Sequence, residues 1–93
     1  MSEDFMRVDP RRQREFIDEL NTRVRNIENV INIFESRLRL LGQSWRDPEY
    51  EAFVKQARST VRVLEKFIQE GKRVAIQLDQ SATYAEAYQK IKQ

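Results

Sequence analysis

Acid–base chemistry on this chain would have to come from carboxylates alone. The sequence carries 15 Asp and Glu but no His and no Cys. The commonest general base, the commonest transition-metal ligand and any thiolate nucleophile are therefore missing. Each carboxylate falls on a charged face beside Lys or Arg, which is the pattern of solvated helix surface. No Gly-rich phosphate loop, nucleophile elbow or metal-ligand spacing is present in the sequence. Catalytic, cofactor and metal sites are expected to be none, and the chain is read as non-enzymatic.

What remains is binding chemistry. "RRQR" at 11–14 sets three Arg in one turn, which could meet phosphate or a membrane surface. Against that, Arg11–Glu15 and Arg14–Asp18 have the i,i+4 spacing of ion pairs on a solvated helix. Trp45, the only tryptophan, lies in the stretch "LLGQSWRDPEYEAF" at 40–53. It either plugs the end of the fold against Leu41 and Phe53 or belongs to a recognition surface, where Trp is enriched. Tyr84 and Tyr88, one turn apart, read as packing residues or as a C-terminal recognition tag.

The elements that position these residues are helices. "VDP" at 8–10 and "RDP" at 46–48 each place Asp at an N-cap and Pro at the first helical position, where its missing N–H costs nothing. Gly42, after Leu40 and Leu41, suits a left-handed residue just past a helix end. These signals predict one helix from about 10 to 41, a turn over 42–47 and a second helix from about 48 to 92. With so short a turn the helices must be antiparallel neighbours, so residues 1–93 form a single all-α helical-hairpin domain.

In the first helix Ile17, Leu20, Val24, Ile27, Ile31, Phe34, Leu38 and Leu41 alternate spacings of three and four, a coiled-coil seam. The second continues with Tyr50, Phe53, Ala57, Thr60, Leu64, Phe67, Gly71, Val74, Leu78, Ser81, Ala85 and Tyr88. From this seam the expected helix interface is Ile17, Leu20, Val24, Ile27, Ile31, Phe34 and Leu38 with Leu64, Phe67, Gly71, Val74 and Leu78. Gly71 marks a close approach or a kink. A second row, Val54, Val61, Ile68, Ala75 and Ala82, and the off-seam Phe16, Val30, Ile33 and Leu40 are expected to lie partly outside it. Two helices cannot cover stripes this wide, so pairing of hairpins into a four-helix bundle is expected. The second helix outruns the first, so "SATYAEAYQKIKQ" must pack on a partner, break back or fray.

Composition bounds the rest. The 93 residues are 34% charged, with 2 Gly and 2 Pro, a profile of amphipathic helices. Residues 1–46 carry 9 basic and 8 acidic groups and residues 47–93 carry 8 and 7, so each half is +1. Despite 12 Arg, that leaves no basic arm and predicts no specific nucleic-acid partner. No window reaches a membrane span and the start lacks a secretory signal pattern. The protein is expected to be cytoplasmic as synthesised, and its export would need a route that reads no N-terminal signal.

At "SWRDPEYEAF" the chain resembles the WXG family of small secreted bacterial proteins associated with type VII secretion. There a Trp-x-Gly turn joins two long helices, and an aromatic eight residues after the Trp packs at the start of the second. Trp45 matches the Trp and Phe53 the aromatic, whereas Asp47 stands where the family has Gly. The family's C-terminal Tyr-x-x-x-Asp/Glu export signal is missing: Tyr84 is followed four residues on by Tyr88, and Tyr88 by Lys92. The resemblance implies homodimers or heterodimers in four-helix bundles, acting as secreted substrates or as partners that escort a toxin, with Trp45, Asp47 and Phe53 as turn motif and partner interface. The rival expectation is a cytosolic structural or antitoxin-like helical subunit of a larger complex, without export.

Overall fold

Asp9 and Asp47 each hold the start of a helix in the computed structural model, which describes residues 8–92. Asp9 Oδ1 accepts from the Arg11 N–H at 3.0 Å and Asp47 Oδ1 from the Glu49 N–H at 2.8 Å. Behind these caps run α1, Pro10–Ser44, and α2, Pro48–Lys92, of 35 and 45 residues. They fold back on each other as an antiparallel hairpin, 69 Å along its longest axis. The radius of gyration, 20.7 Å, far exceeds the roughly 12 Å of a compact domain this long. Residues 1–7 and Gln93 of the expected domain lie outside the described residues.

The turn is shorter than expected, because α1 does not stop at Gly42. It runs on to Ser44 and ends where Trp45 turns extended (φ −110°, ψ 102°), its N–H still bonded to Leu41 O at 3.0 Å. Gly42 takes no positive φ. Its missing side chain serves packing instead: a Cβ there would fall on the Tyr50 hydroxyl and 2.8 Å from Tyr50 Cζ. That hydroxyl donates to Leu38 O at 3.3 Å. A small residue is required because a ring occupies the space beside it.

The core is one residue thick. Ile17, Val24, Ile31 and Leu38 of α1 are buried against Ala57, Val61, Ile68, Ala75 and Ala82 of α2, with Leu20, Ile27 and Leu64 packed on the Val24–Ile31–Val61–Ile68 cluster. This corrects the expected seam in α2. Val61, Ile68, Ala75 and Ala82 are its centre, while Phe67 and Val74 are 58% and 37% exposed. In α1, Phe34 is also exposed. The physical reason is the distance between axes. Phe on the centre line would prop the helices apart, whereas β-branched and Ala side chains let them close until Val24 Cγ2 would stand 3.0 Å from a Cβ on Gly71. Gly71 is thus a close-approach point within the hairpin, and α2 continues helical through it.

Candidate interaction surface

At the turn, a single carboxylate joins the helix cap to the tryptophan. Asp47 Oδ1 caps α2, while its Oδ2 accepts the Trp45 indole N–H at 2.9 Å. The Asp47 carbonyl takes the Tyr50 N–H at 3.1 Å. So anchored, the half-buried indole meets Tyr50 edge-on, with centroids 5.5 Å apart and planes at 62°. It also meets Phe53 at 5.6 Å and 39°. The structure therefore brings the expected Trp45, Asp47 and Phe53 together and adds Tyr50. Offset and edge contacts of this kind hold aromatic rings about 0.5–1.5 kcal/mol beyond their buried area. Trp45 closes the turn end of the hairpin, and with Phe53 it leaves part of an aromatic surface open.

The two long edges of the hairpin differ in kind. One is polar and closed by ion pairs between helices. Arg14 Nε and Nη2 grip Glu86 at 3.2 and 3.0 Å, Nη1 reaches Asp79, and Nη2 also donates to Thr83 Oγ1 at 3.1 Å. Midway along, Lys72 Nζ meets Glu28 at 3.2 Å. The bonds from Arg14 hold the Glu86 carboxyl below its ordinary value. The spacing-based pairs expected for "RRQR" do not form: Arg14 crosses to α2 instead of reaching Asp18, and Arg11 turns back to Asp9. A fork that reaches two carboxylates on the facing helix gains more bonds than a pair along its own helix.

The other edge is apolar. Rotating away from the buried row on the side opposite Lys72–Glu28, α1 presents Leu20, Ile27, Phe34 and Leu41, and α2 presents Phe53, Phe67 and Val74. Phe34, Leu41, Phe53, Phe67 and Val74 are all exposed, and Val30 and Phe16 extend the α1 side. Leu64, Leu78 and Gly71 lie half-buried between the two rows. The chain exposes 7997 Å², against roughly 5,700 Å² for a compact monomer of this mass. Farther along α2, Tyr84 and Ile91 are also well exposed.

Comparison with family models, with curated proteins and with solved structures yields no match. Among the described residues no helix is long and apolar enough to cross a membrane, and no group of three or more His, Cys, Asp or Glu could hold a metal ion. The surfaces that stand out are the aromatic turn and the apolar edge. Sequence periodicity assigned Phe34, Leu41, Phe53, Phe67 and Val74 to the seam inside the hairpin, whereas the structure leaves all five exposed along this edge.

Proposed function

We propose that this protein is a non-enzymatic, WXG-like helical hairpin that pairs along its apolar edge with another helical chain to complete a four-helix bundle. In that role it serves as a secretion-associated substrate, or as the partner that escorts an effector such as a secreted toxin. The observation that carries the reading is the asymmetry of the hairpin. One edge is closed by Arg14–Glu86 and Lys72–Glu28, while the other leaves Phe34, Phe53 and Phe67 uncovered. Uncovered aromatic rows of this length drive association, since burying each such side chain contributes about 1.5–3 kcal/mol. Support for the family comes from the contact between Trp45 and Phe53 across the turn, with the Asp47 cap doing the work of the family's glycine turn.

The test is made in the producing cell. A tagged chain should be recovered from the medium of intact cells with its N-terminus uncleaved. Retention inside, in a stable complex with a cytosolic protein, would overturn export and favour the structural or antitoxin-like subunit. The absence of an acidic residue four positions after Tyr84 or Tyr88 supports that second reading.

A further inference from the structure

We infer that the end of the hairpin away from the turn is an ionic latch: residues 10–20 of α1 and 72–92 of α2 come apart as one unit when the Arg14 fork lets go, while the turn end stays closed. The opening bares Ile17, Ala75 and Ala82, an apolar row that is buried while the latch holds. It does not depend on pairing along the apolar edge.

The two ends are held by different forces, and the boundary lies where Val24 meets Gly71. From there to the turn, α2 fills the interface with Val61 and Ile68, on which Ile27 and Leu64 also pack. In the other direction the buried row of α2 shrinks to Ala75 and Ala82. An Ala withdraws far less apolar area from water than a Val or Ile, so burial holds this end weakly. Ions take over in its place. Lys72, Asp79 and Glu86 follow one another at seven-residue spacing along α2. Among the described residues this row supplies every ion pair between the helices: Lys72 with Glu28, and Asp79 and Glu86 with Arg14.

Most of this row is gathered on one side chain. The Arg14 guanidinium reaches Asp79, Thr83 and Glu86 together, and Gln13 Nε2 adds a neutral bond to Ser81 Oγ at 2.9 Å. The charged groups are open to water: the side chains of Arg14, Asp79 and Glu86 are 36%, 58% and 48% exposed. Salt therefore screens them, and exposed pairs add little to global stability. Local opening of a weakly packed end asks for much less than global unfolding, so the same pairs decide it. Gly71 sets the limit of the unit. It is the poorest helix former after Pro, so α2 bends there most readily.

The test is amide exchange on the whole chain, read against the intrinsic rate, in dilute buffer and in about 1 M NaCl, where the screening length falls to about 3 Å. Amides at Ile17, Ala75 and Ala82 should lose protection together, by about tenfold, while Ile31 and Val61 hold theirs. Arg14→Gln should show the high-salt pattern already in dilute buffer and respond little to added salt. Asp79→Asn combined with Glu86→Gln should reproduce that pattern from the other helix. The pattern should be the same at two protein concentrations, and a change with concentration would tie the opening to pairing and overturn its independence. Loss confined to α1 is fraying of one helix and overturns the unit, and an equal loss at Val61 makes the opening global. Wild-type protection in both variants would remove the Arg14 fork as the latch.

Discussion

The indole N–H of Trp45 donates to Asp47 Oδ2 at 2.9 Å while Asp47 Oδ1 caps α2 at 2.8 Å. One side chain thus couples the start of a helix to the placement of an aromatic ring. Asp47→Ala should cost about 0.5–2 kcal/mol, the range for a lost cap. It should also free the indole, which a change in tryptophan fluorescence would report. Asp47→Ser, which can cap but cannot serve both donors, should recover the melt and not the fluorescence. Equal fluorescence in all three proteins would show that the carboxylate does not hold the ring.

Trp45→Ala should cost about 1–3 kcal/mol, less than a fully buried Trp, because the indole is only half-buried. Its loss should weaken pairing more than folding, since Phe53 loses the ring that positions it. Thermal melts beside sedimentation separate the two effects, and a variant unchanged in both would remove Trp45 from the interface.

Gly42 and Tyr50 should be energetically coupled. Ala at 42 gains roughly 1 kcal/mol of helix propensity but displaces the Tyr50 ring, so Gly42→Ala should be net destabilising by about 1–3 kcal/mol. With Tyr50→Ala already in place, the same change should become neutral or stabilising. Urea melts of the four proteins in this cycle give the coupling, and additive values would contradict the packing.

The Arg14–Glu86 pair should make the far end of the hairpin sensitive to acid. The Glu86 carboxyl is depressed in the fold, so its contribution is present above the ordinary glutamate value of 4.5 and is lost as pH falls through the lower folded value. Amides near Glu86 should therefore lose protection, measured against the intrinsic exchange rate at each pH, in acid and in high salt, while amides around Ile31 and Val61 stay protected. Arg14→Gln should remove the difference between neutral and acidic pH. Because the pair is exposed, the global melting temperature should move little.

Adjacent residues in α2 should behave oppositely. Ile68 is 4% exposed and Phe67 58%. Ile68→Ala should cost about 2–5 kcal/mol. Phe67→Asp should leave the hairpin helical and abolish association. Circular dichroism with sedimentation reads both, and unfolding of Phe67→Asp at low concentration would mean that the hairpin does not stand without its partner.

The sequence by itself determined that there are two helices, where each begins and that they run antiparallel. Those features rest on local chemistry: Asp followed by Pro at 9–10 and 47–48 caps and opens a helix whatever surrounds it, and the short turn leaves no other direction. Tertiary structure alone decided which apolar row of α2 faces α1. Phe67 and Ile68 repeat with the same seven-residue period one residue apart, about 100° around the helix, so periodicity cannot rank them. The choice depends on how closely α1 can approach, and Val24 against Gly71 makes that approach close. For the same reason the roles of Gly42 and Arg14 were not legible in sequence, since one depends on the Tyr50 ring and the other on carboxylates more than sixty residues away. Contacts of that range exist only once the hairpin has closed.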